Sequence, residues 1–524
     1  MTLEHAEGPA VSVGAPVSRN NRWAVLAVMC TSLLLAGIDL TVLNVAVPNL
    51  TRDLLPSGTA LLWIVDIYSL TVAALLVTSG TIGDRIGRKR LLLAGFAVFG
   101  LASLGAALST TTTQLIVTRA LLGAGTAMII AATVSIIRVV FVDDRERTLA
   151  LGLWTAAHSV GATVGPVIGG LLLQRWWWGS VFLVNVPIIV VVLVAGFLVV
   201  PESKSSTPRR WDLTSALLSI VGLGGLVYAI KEAGSALGLE PTLLVSGLGG
   251  LALLVWFTAR QRRLTQPLLD ITLFANRRFS LAVVCVLACF GSYVGLLYLL
   301  TQWFQLMDGY SPLTAGFALV PLAAANAVGA IGAPWLSERW GRGRAMALAL
   351  GAFAVAMLGL TVVSGTGHYP QTVVAMLVAG AGAGVVMTLG ADAIMASAEP
   401  ERAGEAAAVQ ETSFELGAGL GVAILGTVLL AVYGATIRPP DLAADDERTV
   451  RESIGAATEV ASTHEPALAQ QIVAAAQRAF ENGFSVATGV AAATLALTAV
   501  LTATMLRHSG GDGAESAPED SGAS

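Results

Sequence analysis

Charged residues are scarce in this sequence. Asp, Glu, Lys and Arg make up 12% of its 524 residues, about half of the share usual in a soluble protein. This scarcity excludes a water-facing fold, because 55% of the residues are hydrophobic and so much apolar surface needs lipid around it. The net charge of −4 also provides no basic surface for nucleic acid. We therefore expect an integral membrane protein that is surrounded by membrane lipid and does not bind nucleic acid.

Cysteine and histidine are also rare. The three cysteines, Cys30, Cys285 and Cys289, fall in apolar runs, and no cluster of metal-ligating residue types accompanies them. A disulfide between Cys285 and Cys289 would strain one helix face. The sequence contains no nucleophile–base pair and no phosphate-binding loop. We therefore expect no metal, no cofactor and no enzymatic activity.

Long apolar runs, in contrast, are abundant. A spanning helix needs about 20 mostly apolar residues, and on that measure the sequence predicts an all-α protein with fourteen transmembrane helices. An even number brings the basic clusters GDRIGRKR, PRRWD, RQRR, NRRF and ERWGRGR to one side of the membrane. The positive-inside rule assigns that side to the cytoplasm. We expect both termini in the cytoplasm and the protein in a bacterial plasma (inner) membrane.

Two loops of the sequence match one another. IGDRIGRKR at 82–90 and LSERWGRGR at 336–344 align at an offset of 254 residues. The two halves become equivalent, with six helices each, when the seventh and eighth helices are set aside. Such a duplicated plan is typical of secondary transporters, whose binding site lies between the halves. We therefore expect a 6 + 2 + 6 arrangement with the seventh and eighth helices at the periphery.

This arrangement divides the chain into segments. The expected segments are a cytoplasmic tail at 1–22, a six-helix bundle at 23–200, two inserted helices with their linkers at 201–278, a second six-helix bundle at 279–506, and a cytoplasmic tail at 507–524. The acidic, Ala-rich stretch 434–482 is expected to form an exposed helical hairpin or cap outside the membrane.

Several motifs carry a family resemblance. GTIGDRIGRKR, LIVTRALLGAG, GATVGPVIGG and IDLTVLNVAVP resemble signatures of the major facilitator superfamily and of its fourteen-helix drug:proton antiporter branch. WIVDIYSL and AAVQETSFELG are similar to segments of QacA-type quaternary-ammonium efflux pumps. The resemblance extends from the first span to the last and implies a major facilitator fold with two pseudo-symmetric halves. In one departure, Asn326 stands where those pumps carry an acid in VPLAAAN.

Four charged residues are candidates for proton coupling. A carboxylate at the centre of a span costs about 2.5–3.5 kcal/mol, so we expect Asp39 to have a function there. Arg119 is placed at the cytoplasmic start or middle of its span, as a distant partner. Glu411 and Glu415 share one helix face, where a proton and a cation would compete for the pair. The alternatives are a structural ion pair for Asp39 and a polar interhelical contact for the two glutamates.

The candidate substrate-binding residues are Glu411 and Glu415 together with Asp66, Trp63 and Tyr68. Asp66 lies close to the expected outer boundary, where it would recruit cations or simply be a hydrated boundary residue. Trp63 and Tyr68 beside it have the spacing of interfacial belt aromatics.

Two motifs are candidates for the conformational machinery. In the first loop, Gly83, Asp84, Arg85, Gly87 and Arg88 can form a charge latch that holds one conformer closed, and the alternative is that the basic residues only set the topology. The second motif consists of Gly161, Gly165, Pro166 and Gly169. These residues permit close packing and a bend; the resemblance associates them with antiporters, and the alternative is ordinary helix packing.

Together these features predict a monomeric, proton-coupled multidrug efflux antiporter. Its partners would be protons and lipophilic, cationic small molecules such as quaternary ammonium compounds, dyes and antibiotics. One alternative is a proton-coupled symporter, or an exporter of an endogenous metabolite or lipid. A second is an ion channel, which the duplicated halves disfavour.

Overall fold

The computed structural model describes residues 11–13, 19–205, 212–235, 241–264, 267, 269–362, 369–397 and 403–507. Most of the expected tails at 1–22 and 507–524, and parts of the linkers within 201–278, lie outside the described residues.

The described chain is almost entirely helical. Its helices are α1 (Arg19–Leu54), α2 (Gly58–Ile86), α3 (Arg88–Ala107), α4 (Thr112–Val140), α5 (Asp144–Leu173), α6 (Ser180–Leu183), α7 (Asn185–Val199), α8 (Leu213–Ser235), α9 (Pro241–Gln261), α10 (Arg277–Gln302), α11 (Pro312–Ala318), α12 (Val320–Trp340), α13 (Arg342–Val362), α14 (Tyr369–Ala396), α15 (Ala403–Thr436), α16 (Ala444–Glu452), α17 (Ile454–Ser462) and α18 (Pro466–Arg507).

Four short elements complete this inventory. A 3₁₀ turn, Ile271–Ala275, precedes α10, and a π-helical turn, Trp303–Met307, extends it. Strands β1 (Val11–Val13) and β2 (Ser203–Ser205) pair antiparallel. Within the described residues, fourteen helical segments are long and apolar enough to cross a membrane. The predicted fold class, an all-α membrane protein with fourteen spans, is confirmed.

Helix ends follow local sequence. The Ser57 hydroxyl accepts a hydrogen bond from the backbone N–H of Ala60 at the start of α2, and Thr111 does the same for Gln114 in α4. Such N-caps satisfy backbone donors that have no partner inside the helix. Gly87 separates α2 from α3 with a φ of 114°, in the region that favours glycine.

Corresponding helix pairs of the two halves make corresponding contacts. α1 packs on α5 as α10 packs on α15, α2 on α4 as α12 on α14, and α3 on α7 as α13 on α18. The inserted helices α8 and α9 pack on each other, and α8 also contacts α2 and α15. Only 11% of the residues in the most apolar stretch of α9 are buried, so this helix lies at the periphery.

The stretch expected to be an exposed hairpin or cap forms α16, α17 and the start of α18. Ile454, Ala457 and Val460 of α17 are buried, so α17 is packed against the rest of the protein and is not fully exposed. The last helix begins at Pro466 and runs for 42 residues. We call this end of the bundle the cap face, and the opposite end, with the loops at 82–90 and 336–344, the basic face.

Candidate functional site

A buried ion pair joins the first and fourth helices of the N-terminal half. Nη1 of Arg119 lies 2.6 Å from Oδ2 of Asp39, and their side chains are 1% and 0% exposed. The Nδ2 amide of Asn185 in α7 donates to the other oxygen, Oδ1, at 3.3 Å. Both oxygens of the Asp39 carboxylate are therefore hydrogen-bonded by the protein itself.

Arg119 is further held by α2. Its Nε and Nη2 atoms donate to the carbonyl oxygens of Ile64 and Val65, both at 3.2 Å. The ring of Tyr68 lies 4.8 Å from the guanidinium carbon, a distance at which a cation is attracted to an aromatic face. The expectation that Arg119 is a distant partner at the cytoplasmic start or middle of its span is wrong: it lies two turns from the cap-face end of α4, level with Asp39.

A second buried ion pair involves Asp66. Its Oδ1 atom lies 2.6 Å from Nζ of Lys231 in the inserted helix α8, and both side chains are 0% exposed. The same ammonium lies 3.4 Å from the centroid of the Trp63 ring. The reading of Asp66 as a hydrated boundary residue is therefore wrong. Lys231 was missed from the sequence because it stands at the end of its apolar run, where lysine is expected to reach the interface.

The glutamate pair of α15 has a different environment. Glu415 is 4% exposed, and its Oε2 atom has no hydrogen-bond partner among the described residues. Ser69 of α2 and Glu411 both lie close enough to interact electrostatically with it. Glu411 is half-buried, one turn nearer the basic face. The two carboxylates share one helix face, as their spacing indicates.

Tyr68 lies between these acidic groups. It is 1% exposed, and its phenol interacts electrostatically with both Asp39 and Glu415. Tyr68 is therefore packed inside the bundle, and the reading as a belt aromatic at the membrane surface is wrong for this residue. Its ring connects the ion pair of the N-terminal half with the carboxylate of the C-terminal half.

The glycines of the fifth helix form a seam with α1. A Cβ atom built on Gly161 would lie 2.1 Å from the carbonyl oxygen of Leu34, and one on Gly165 would lie 2.2 Å from the Thr41 hydroxyl. Gly169 meets Val42 at 3.0 Å in the same way. No larger residue fits at the first two positions, so α1, which carries Asp39, is held directly against α5.

Pro166 lies where α5 meets the other half of the molecule. A Cβ atom on Gly316 of α11 would lie 2.6 Å from the Pro166 carbonyl oxygen. Gln305, in the π-helical turn after α10, donates to the carbonyl oxygen of Val45 at 3.0 Å. These contacts lie towards the cap face, whereas Leu153 of α5 and Ile331 of α12, nearer the basic face, are exposed. The halves thus close on each other at the cap face.

A small cavity of about 30 Å³ lies beneath the cap. It is lined by residues of both halves and by α17, among them Thr51, Tyr298, Gln302, Tyr433 and Ile454. Tyr298 also interacts electrostatically with Asp66.

At the basic face, the first loop contains the expected charge contact. Nη2 of Arg88 donates to Oδ1 of Asp84 at 2.9 Å. Glu202, which the sequence analysis missed, caps α3 by accepting from the Lys89 backbone N–H at 3.2 Å. Its carboxylate would lie 2.5 Å from a Cβ atom on Gly87. Glycine is required there by both the positive φ and this close approach.

The second loop uses a different acid. Gly341 repeats the positive φ, at 80°. Nη2 of Arg342, the residue that corresponds to Arg88, donates to Asp392 of α14 at 2.5 Å. This contact connects the start of α13 with the end of α14, 50 residues apart, and both side chains are about half exposed.

The profile of the Major Facilitator Superfamily matches residues 29–422. The chain is 37% identical to the Multidrug efflux pump LfrA of Mycolicibacterium smegmatis, over 91% of this chain and 94% of that protein. It is also 37% identical to the Methyl viologen resistance protein SmvA of Salmonella typhimurium, over 91% and 97%.

Among solved structures, a bacterial homolog of the human lysosomal transporter Spinster, in an inward-facing and occupied conformation, superposes with a TM-score of 0.61. It is 18% identical, and the match covers 94% of this chain and 98% of that one. This likeness concerns the fold.

Proposed function

This chain belongs to the Major Facilitator Superfamily, and we propose that it is a proton-driven antiporter that exports lipophilic, cationic compounds. It is a multi-pass membrane transporter and not an enzyme, as its family and its fold both indicate. Its similarity to a multidrug efflux pump and to a methyl viologen resistance protein over nine-tenths of the chain supports drug efflux. Methyl viologen is a dication, which supports cationic substrates.

Proton coupling is assigned to the Asp39–Arg119 pair. A proton on Asp39 would neutralise the carboxylate that binds Arg119. The guanidinium would then keep its hydrogen bonds to the Ile64 and Val65 carbonyl oxygens of α2 alone. The pair therefore has two discrete arrangements, one for each protonation state of Asp39. Since α1 is packed directly on α5, a change at Asp39 is transmitted to the helix that contacts the opposite half at Pro166.

Substrate and proton would meet at the α15 glutamates. A buried carboxylate without a fixed cation must bind a proton or a mobile cation, because an uncompensated charge in a low dielectric is costly. The unpartnered oxygen of Glu415 is the single observation that carries this assignment. Competition for that oxygen makes the two ligands exchange.

We further propose that the basic face is cytoplasmic and that the protein works as a monomer in the bacterial inner membrane. The conformer with the cap face closed is then the one that admits substrate from the cell. The Asp84–Arg88 and Arg342–Asp392 contacts at the basic face are formed in this conformer, and we assign them to its stability. Inward proton movement provides about 2.3 kcal/mol per charge at 100 mV.

The test uses purified protein in liposomes with an acidic lumen and a clamped membrane potential. An antiporter accumulates ethidium in the lumen as protons leave, and nigericin, which dissipates the pH difference, abolishes the accumulation. A symporter would instead deplete ethidium from the lumen. Flux that neither saturates nor depends on the pH difference would identify a channel. Either of these results would overturn the proposal, and Asp39→Asn protein is the matched control.

A further inference from the structure

Lys231 belongs to neither six-helix half. It lies on α8, one of the two inserted helices, yet its ammonium reaches a carboxylate inside the N-terminal half, 2.6 Å from Asp66. Both side chains are 0% exposed. A lysine on a peripheral membrane helix would be expected to extend towards water, so this inward placement needs a reason.

The two groups around the ammonium have the chemistry of a site for organic cations. Asp66 supplies a negative charge, and the Trp63 ring lies 3.4 Å from Nζ, measured to its centroid. A carboxylate beside an aromatic face is the arrangement that recognises alkylated ammonium groups. The side chain of Lys231 thus occupies the place in which an organic cation would be bound.

This ammonium is held less firmly than the guanidinium of Arg119. Arg119 donates to Asp39 and to two backbone carbonyl oxygens. Within the described part of the chain, Lys231 donates to Oδ1 of Asp66, and Oδ2 of that carboxylate has no hydrogen-bond partner. An ammonium has three donors on a flexible four-carbon stem. Another cation should therefore displace Lys231 from Asp66 more readily than Arg119 from Asp39.

We propose that Lys231 is a tethered substitute for the substrate. In the absence of substrate its ammonium neutralises Asp66 and covers Trp63. A lipophilic cation that reaches this site displaces it and takes over both contacts. This inference rests on the proposed export of cations and adds a residue of the inserted helices to the binding site. It gives the α8–α9 pair a role: Lys231 sets the threshold affinity that a cation must exceed.

The first experiment measures the affinity of purified protein for tetraphenylphosphonium, an aromatic monovalent cation. Lys231→Met removes the charge and keeps the length of the side chain. It should lower the dissociation constant at least about tenfold, since the probe then meets a buried carboxylate without a competitor. Lys231→Arg, the matched control, keeps the competing charge and should show no tightening. The double variant Asp66→Asn/Lys231→Met should lose the gain.

A second experiment keeps the inference testable if Lys231→Met does not fold. Acylation of lysine amines in the wild-type protein, followed by mass spectrometry, should show Lys231 protected without the probe and labelled with it. Lys89, at the basic-face end of α3, and Lys204, in β2, serve as internal references.

The outcomes separate this inference from the proposed function. Equal affinity of wild type and Lys231→Met, or unchanged protection of Lys231 with the probe bound, would overturn the inference alone and make the pair purely structural. Absence of binding to every variant would overturn it together with the cationic substrate class. Tighter binding to Lys231→Met, lost again in the double variant, would support it.

Discussion

The two halves of this transporter handle buried negative charge in opposite ways. In the N-terminal half, Asp39 and Asp66 each have a cationic side chain 2.6 Å away. In the C-terminal half, Glu415 is almost as deeply buried, but no lysine or arginine of the described residues forms an ion pair with it. The first half is thus balanced by the protein's own cations. The second half needs a proton or a substrate to complete its charge balance.

The duplication has kept the packing and changed the charges. Gly37 and Gly291, at the offset of 254 residues, occupy the same position in the first helix of each half and are both in contact with the backbone of the fifth. At the same offset, Asp39 corresponds to Tyr293 and Arg119 to Val373. The ion pair therefore has no copy in the second half. Close helix contact is a shared requirement of both halves, whereas the Asp39–Arg119 pair is present in the first half and is not repeated in the second.

The largest effect is expected from breaking the balanced site. Asp39→Asn leaves Arg119 buried without its counter-charge, which typically costs about 3–5 kcal/mol of stability. It also removes the titrating group, so proton-coupled efflux should be abolished while substrate binding is largely kept. Substrate-induced proton release from detergent-solubilised protein, compared with wild type, measures this loss. Unchanged release together with unchanged efflux would assign Asp39 to structure alone.

The double variant Asp39→Asn/Arg119→Gln separates the two roles of this pair. Removal of both charges should restore much of the lost thermal stability, because no unpaired charge remains buried. Transport should stay abolished. Recovery of transport together with stability would show that the pair is a structural contact.

A smaller effect is expected at the unbalanced site. Glu415→Gln removes the carboxylate that has no fixed cation and should weaken binding of the dication methyl viologen by about tenfold, equivalent to 1.4 kcal/mol. The monovalent cation ethidium needs fewer negative charges and should lose less. Glu411→Gln, one turn away and half-buried, is the matched control with a smaller effect. Equal losses for both cations would contradict the assignment.

The smallest effect is expected at the basic face. A partly exposed ion pair contributes about 0.2–1 kcal/mol, so Asp84→Asn should slow transport by up to about fivefold at normal membrane abundance. Asp392→Asn breaks the corresponding contact of the second half, whose side chains are more exposed, and should have the weaker effect. Initial rates of dye efflux, normalised to protein amount, test both. If neither variant slows transport, the loops serve only to set the topology.

The sequence was sufficient to predict the spans, the repeat and the Asp84–Arg88 contact. Hydropathy indicates each span because every helix that crosses the bilayer needs an apolar stretch of about the same minimum length. Asp84 and Arg88 are four residues apart in sequence, so their contact is local. The domain limits and the roles of the site residues remain predictions.

Partnerships between helices could not be predicted in this way. Asp39 and Arg119 are 80 residues apart, and Asp66 and Lys231 are 165 residues apart. Hydropathy contains no information on which helices are neighbours or on which way each one is rotated. The depth of Arg119 could have been found, since a span that begins at the outer side places its seventh or eighth residue near that side.

The length of α18 has a consequence for access to this protein. At 1.5 Å per residue its 42 residues extend about 63 Å, roughly twice the hydrocarbon thickness of a bilayer. Much of its first half therefore lies outside the lipid. Together with α17 it covers the cavity that is lined by Tyr298 and Ile454. With the proposed orientation, this covering faces the outside of the cell. A compound or antibody fragment that clamped α17 to the start of α18 would block the exporter without ever having to enter the cell or become one of its substrates.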